Sequence, residues 1–320
     1  MDGHYESHFL KVNLPEQDAA FWWKFTITQP LSGMGPARFE VWAIFFDAAD
    51  PSNTCATRET FDATVSSVAR ERLACVFGNN VLEHGKSHGR LDSGAGFEWD
   101  IAFDVPDEGF RHFPMPGMYE AALPKAKTLT PAIDVVVRGT ARVGDRTFDL
   151  EHPGMQGHNW GVKHADSWVW VHCNVFQEDG SAVFEAVSSR IKMGPMTTPQ
   201  LTILHFSDGA TTITVNGWVE MVRATSDLEG LRWRFRGSTG DWGIEGLFKA
   251  APDRFVGLNY QDPDGIKTAC LNSKIADGEL RILRRDNGVW RLERSLTARG
   301  TAALEIGLKN ETRGVRMHVE

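Results

Sequence analysis

The amino-acid sequence predicts an all-β protein made of two consecutive antiparallel β-barrels packed together, one from residues 1–150 and one from 151–320. Three observations carry this. Apolar and polar residues alternate with a period of two along most of the chain, as half-buried strands require. Gly-containing turns recur at short intervals between the alternating runs. An eight-stranded barrel, which leaves no open edge, needs roughly 100–150 residues, so 320 residues accommodate two. The join is expected near 145–160, where "DLEHPGMQGHN" interrupts the pattern with Pro and Gly.

The elements follow in order. "AFWWKFTITQ" puts Phe21, Trp23, Phe25 and Ile27 on one side of a strand. Residues 56–72 read equally as a helix, with Phe61, Val65 and Val68 on one face, or as two short strands. "FEWDIAFDVPDEG" alternates Phe97, Trp99, Ile101 and Phe103 with Glu98, Asp100, Ala102 and Asp104. "IDVVVRGTARVGDRTFDL" reads as a hairpin around Val143-Gly144-Asp145-Arg146, with glycine supplying the positive φ of a tight turn. Further on, "SWVWVHCNVF" turns at "QEDGS" into "AVFEAVSSRI", and "LTILHF" turns at "SDGA" into "TTITV". Arg232, Arg234 and Arg236 alternate with Trp233 and Phe235, the pattern of a strand with one solvated face. Asp241 and Asp262 read as turn residues.

Composition bounds the function. Hydrophobic residues make up 42% and charged residues 24%, with a net charge of −8 spread along the chain. There is no basic stripe to grip phosphates and no polybasic patch, so neither nucleic acid nor a membrane surface is an expected partner. The first residues lack the charged and apolar regions of a signal peptide, and no apolar run reaches the ~18 residues of a membrane span. Cys55, Cys75, Cys173 and Cys270 are far apart and form no CxxC, so reduced thiols and a cytoplasmic location are expected. GxGxxG, Walker and GxSxG motifs are absent, and no cofactor is expected.

The densest chemistry lies in "GHNWGVKHADSWVWVHCNVF", residues 157–176. On a strand, Trp168, Trp170, His172, Asn174 and Phe176 share one face, while Val169, Val171, Cys173 and Val175 share the other. Aromatic walls with a few placed polar groups line small-molecule pockets, and they also occur as aromatic cores around a hydrogen-bonded His. His158, Asn159 and Trp160 in the preceding "HNWG" add hydrogen-bonding groups and another aromatic wall. Glu185 is flanked by Val183 and Val187. It is either an outward residue between surface valines or a carboxyl in an apolar wall, where its pKa would rise. His152, His158 and His164 recur every six residues, a spacing that suits neither a helix face nor a compact zinc loop. "HYESH" (His4, His8) has helical spacing in a segment that reads as β, so no metal site is expected.

Asn159-Trp160-Gly161 followed by Trp168-x-Trp170-x-x-Cys173-Asn174-Val175-Phe176 resembles the signature of plant and cyanobacterial tocopherol cyclases. "HNWG" is similar to the matching motif of bacterial carotenoid 1,2-hydratases. "YQDPDGIKTACLNSKIA" resembles a Tyr…Cys-x-Asn segment of cyclase-like proteins, and "YESHFLKVN…AFWWKFTI" is typical of a broad bacterial branch of the group. The resemblance covers about twenty core residues and a looser pattern over the whole chain. It implies the AttH-like architecture of two lipocalin-like barrels, and ligands that are isoprenoid or otherwise apolar. Characterised members protonate an alkene and cyclise or hydrate the cation, and related fungal proteins guide pericyclic cyclisations. Trp160, Trp168 and Trp170 would then stabilise a carbocation through their ring faces. The acidic residue that precedes HNWG in the family is here Gly157, so the usual proton donor is missing.

Together these observations point to a cofactor-independent enzyme that cyclises, isomerises or hydrates an apolar isoprenoid- or polyketide-like molecule. Its expected proton-handling residues are His158, His172 and Glu185, and its expected substrate-binding residues are Asn159, Trp160, Trp168, Trp170, Asn174 and Phe176. A non-catalytic lipocalin-like carrier of a hydrophobic molecule is the alternative. A third reading makes HNWG a structural pin between the two barrels.

Overall fold

The computed structural model describes residues 3–69, 73–193, 196–309 and 311–319. Two large antiparallel sheets account for nearly all of it. In each, the last long strand returns to pair with the first. His4–Leu14 pairs with Arg146–Gly161 in the first sheet, and Ser167–Cys173 pairs with Val289–Leu308 in the second. The first sheet curls into a nearly closed barrel. Thr57 Oγ1 lies 2.6 Å from Ser93 Oγ, and the Phe39 and Phe77 rings are 5.4 Å apart across the gap. The second sheet is not closed: its end strands, Thr212–Val215 and Thr225–Glu229, share no ladder among the described residues. The six-residue helix Trp218–Arg223 lies between them in the chain.

The alternation reads through to the cores. Phe21, Trp23, Phe25, Phe97, Trp99, Ile101 and Phe103 all pack inside the first sheet. Val169, Val171 and Cys173 pack inside the second with Trp233 and Phe235, while Arg232, Arg234 and Arg236 are exposed. The hairpin turns on Gly144-Asp145, with Val143 opposite Arg146 and Gly144 at φ 56. Residues 55–69 are strand Cys55–Phe61, the short 3-10 turn Ala63–Val65 and strand Ser66–Ala69. The helix alternative therefore fails there, and residues 70–72 lie outside the described residues.

A third core joins the sheets. Phe9, Trp22, Trp42 and Met155 from the outer face of the first meet Trp170, Leu258, Tyr260 and Ile275 from the second. Full burial of each such side chain is worth about 1.5–3 kcal/mol. The two sheets therefore meet through an apolar seam. The stretch 145–160, where the join is expected, lies almost wholly in strand Arg146–Gly161, which stays in the first sheet to its end, and the second sheet starts at Ser167. The glycines that suggested a break serve close packing instead. A Cβ at Gly154 would come within 2.6 Å of Lys11 O, and one at Gly157 within 2.1 Å of the Phe9 ring.

Candidate functional site

The sequence-predicted residues divide among three places, because alternation sorts residues onto faces without saying what each face meets. His158 and Trp160 point into the first barrel, on the side shared by Glu6 and His8. His158 stacks on His8 at 4.0 Å and on Trp160 at 4.4 Å. Asn159, Trp168, Trp170, His172, Asn174 and Glu185 lie on the side that meets the other sheet. Phe176 does not share their face. The strand ends at Cys173, alternation lapses beyond it, and Phe176 packs with Val169 and Val171 in the second core.

At the mouth of the first barrel, Glu6 gathers histidines. His158 Nε2 donates to Glu6 Oε1 at 3.0 Å, with His8 Nε2 at 3.4 Å from the same oxygen and His4 Nε2 at 3.7 Å from Oε2. Hydrogen bonds from His158, His4 and His8 hold the Glu6 carboxyl well below its usual range. Burial, opposed by Glu6, lowers His158 to about 4. Glu6, His8 and His158 are the described residues whose donor atoms converge closely enough to hold an ion. His8 and His158 lie nearly parallel, at 15°, with both Nε2 atoms beside the same carboxylate oxygen.

In the seam, Glu185 forms a sealed polar nest. Its Oε1 accepts from Thr130 Oγ1 at 2.8 Å, Trp170 Nε1 at 2.9 Å and His112 Nε2 at 3.2 Å. His112 and Thr130 come from the first half of the chain and Trp170 from the second, so this carboxylate ties the halves together. Glu185 is neither an outward residue nor a carboxyl with raised pKa. Burial pushes its pKa up, but the charge and hydrogen bond of His112 outweigh that and hold it at about 2. His172 lies opposite Glu185 in the ladder, donates from Nε2 to Ile133 O at 2.7 Å, and is pushed down to about 3 by burial. Asn174 donates to Asp134 at 2.8 Å and to Gly154 O at 3.0 Å, and accepts from the buried Lys11. Phe9 fills the space over Gly157 and meets Trp170 edge-on at 5.6 Å. The side on which the family's acid would stand is thus occupied by an aromatic ring.

A cleft of about 210 Å³ opens elsewhere along the same seam. Tyr5, Trp42, His164 and Tyr260 supply its aromatic walls. Trp168 stands just behind, stacked 5.8 Å from His164 and 6.4 Å from Tyr260, with Tyr5 stacked on His164 at 4.0 Å. Asp262 Oδ1 accepts from His164 Nδ1 at 2.6 Å and from the His164 backbone N–H at 2.9 Å. That fixes the ring and its tautomer, and directs Nε2 away from the carboxylate. Asp262 is therefore more than the turn residue its sequence context suggests. It is buried and orients a histidine in the cleft wall. Lys24, Arg38, Arg58 and Lys267 bring positive charge to the same cleft.

None of the nine sequence-predicted site residues lines this cleft. His164, Asp262, Lys24 and Tyr260 were missed because their partners are remote in sequence, His164 from Asp262 by 98 positions. The one available signal was the nearness of "VKHADSW" to HNWG and of "YQDPDG" to the Tyr…Cys-x-Asn segment.

No helix among the described residues is long and apolar enough to cross a membrane. The four cysteines are free. By shape, the chain is similar to CghA (TM-score 0.61, 10% identity, covering 96% of this chain and 88% of that one). It is also similar to an AttH-type protein from Nitrosomonas europaea (TM-score 0.54, 10% identity, 95% and 92%). A third similar structure is kievitone hydratase from Nectria haematococca (TM-score 0.51, 9% identity, 97% and 89%). At these identities the likeness shows the fold. By sequence, the chain is 27% identical over 219 residues to an uncharacterised protein of Mycobacterium tuberculosis, covering 66% of this chain and 60% of the relative. The family model described as tocopherol cyclase-like matches residues 134–308, from the strand paired with the one that carries HNWG through to the end of the second sheet's last long strand. With more than half its length matched in this way, and with its fold shared by the AttH-type structure, the chain belongs to the tocopherol cyclase-like family.

Proposed function

We propose that the chain is a cofactor-independent enzyme that isomerises, cyclises or hydrates a small, largely apolar isoprenoid- or polyketide-like molecule in the cleft between its two sheets. The observation that supports this is the His164–Asp262 pair set in an aromatic-walled cleft. Asp262 holds the Nδ1 proton, so Nε2 takes a proton from the bound molecule and returns it at another position. A neutral imidazole is too weak an acid to protonate an unactivated alkene. The chemistry therefore begins at a proton made acidic by a neighbouring carbonyl or phenol. The ring faces of Tyr5, Trp42 and Tyr260 shape the apolar body of the substrate. This reading takes the second sheet as an opened partner of the first, the pair forming two lipocalin-like barrels. The free cysteines support a reducing compartment such as the cytoplasm.

His158, His172 and Glu185 stand beside this as alternative proton-handling groups, and their aromatic and amide neighbours as an alternative substrate wall. The test separates the two sites. Molecules retained by protein purified from its host are identified by mass spectrometry, and their conversion is then followed. His164→Gln and Asp262→Asn are expected to lower turnover by about 10²–10⁴-fold with the fold intact. Retained turnover in both variants overturns the assignment. Loss confined to His172→Gln and Glu185→Gln moves the chemistry to the sealed nest. A retained molecule that is never converted identifies a carrier.

A further inference from the structure

Three lysines are buried in the seam, and they are not equivalent. Lys11 Nζ donates to Asn174 Oδ1 at 3.2 Å. Lys274 Nζ donates to Asn272 Oδ1 at 2.6 Å and lies 3.6 Å from Glu305. Lys24, only 5% exposed, makes no hydrogen bond among the described residues. Its ammonium sits 3.6 Å from the centroid of the Tyr260 ring, at the cleft wall. Burial lowers its pKa to about 8, which leaves it a cation at neutral pH. A ring face offsets only part of the cost of burying an ammonium.

The neighbouring carboxylates Glu305 and Glu40 favour its charge from a distance, but neither forms an ion pair with it. Glu40 is paired with Arg58 at 3.5 Å, and Glu305 with Lys274. Arg38 repeats the pattern at the same cleft. Its Nη1 donates to Gln261 at 2.8 Å, yet its Nε–H is buried with no acceptor. Four cations thus line a cleft whose single lining carboxylate among the described residues is Glu40, in a chain of net charge −8.

Resting on the reading of this cleft as the small-molecule site, we propose that its ligand carries a carboxylate-type oxyanion, bound by Lys24 against Tyr260 with Arg38 as a second donor. The substrate class is then an apolar skeleton ending in an acid or a stabilised enolate. The same cations would hold the negative charge that forms when His164 removes a proton.

The test compares two probes of one skeleton, geranic acid and geraniol, by isothermal titration calorimetry. The acid is expected to bind at least about tenfold more tightly than the alcohol, as a charge-assisted hydrogen bond predicts. Lys24→Met should abolish that preference and leave geraniol unchanged, while Lys24→Arg, which keeps the charge, should retain it. Equal affinity of acid and alcohol in the unaltered protein overturns the oxyanion proposal and leaves the cleft as an apolar site. So does a Lys24→Met variant that weakens both probes alike. Binding of neither probe by correctly folded protein overturns the small-molecule reading of the cleft itself, and the oxyanion proposal with it.

Discussion

The seam holds two polar groupings that look alike in a residue inventory and differ in what surrounds them. Around Glu185, a carboxylate, two histidines, a threonine and an indole N–H are closed off by both sheets. Around the cleft, a histidine held by a carboxylate and the side chains of Lys24 and Arg38 line the wall. Both contain orphaned atoms: Glu185 Oε2 and the Nδ1 atoms of His112 and His172 in one, Arg38 Nε in the other. An orphan alone therefore does not mark a ligand site, and access decides. The closed group ties two halves of the chain, whereas the other sets Lys24 and Arg38 in the wall of a cleft.

The largest effect should come from the closed group. Glu185→Ala strips three hydrogen bonds from one oxygen and leaves His112 buried without its acceptor, a loss of about 3–5 kcal/mol. His164→Gln, at the cleft surface, should cost less than about 1 kcal/mol. Urea unfolding midpoints measure both. Equal losses would show that the His164 pair is also a structural tie, and the distinction would collapse.

The next effect probes why no acid stands at 157. Gly157→Ala puts a Cβ 2.1 Å from the Phe9 ring, and overpacking of this kind costs about 1–3 kcal/mol. Adding Phe9→Ala should recover part of that loss, because it removes the obstructing ring. A double variant no more stable than the sum of the single changes would rule out Phe9 as the reason for glycine.

Acid sensitivity follows from the closed groups. Burial holds His172 at about 3 and His158 at about 4. In the unfolded chain a histidine titrates near 6.5. Below that value the unfolded chain binds more protons, so stability falls with pH, at up to about 1.4 kcal/mol per pH unit per histidine. Glu185 acts in a lower window: its contribution is complete above about 4.3 and is lost as pH falls toward its folded value. His172→Gln should remove one histidine's share of the slope between pH 6.5 and 5. An unchanged slope in unfolding midpoints would mean that His172 takes up its proton without unfolding.

Much of the fold was legible because alternation records burial directly. Trp99 and Phe103 in the first core, and Val169 and Val171 in the second, follow from period two alone. That Trp168, Trp170 and His172 share a face was equally legible. That this face looks away from its own sheet toward the other was not, since a pattern of buried residues is the same whichever layer covers it. Glu185 shows the limit most clearly. The valines beside it suggested a raised pKa, and the group that reverses the direction, His112, lies 73 residues away. Lys24 reads as one polar residue in "AFWWKFTITQ". Its significance lies in Tyr260, which only the pairing of two sheets brings to it.

The smallest effect sharpens the cleft side of the comparison. Lys267 lines the same cleft but is exposed, and no carboxylate of the described residues is paired with it. Lys267→Ala should leave stability within about 0.5 kcal/mol. A unit charge at 4 Å is worth about 1 kcal/mol in water and about 4 at the effective dielectric of a partly buried site. Removing the rim charge should therefore weaken geranic acid binding by no more than about fivefold, and added salt should erase the difference, because exposed charges are screened over about 8 Å. The loss from Lys24→Met should persist in salt. If both variants lose affinity equally and both losses vanish in salt, the cleft attracts anions through a diffuse field, and Lys24 is not the residue that holds them.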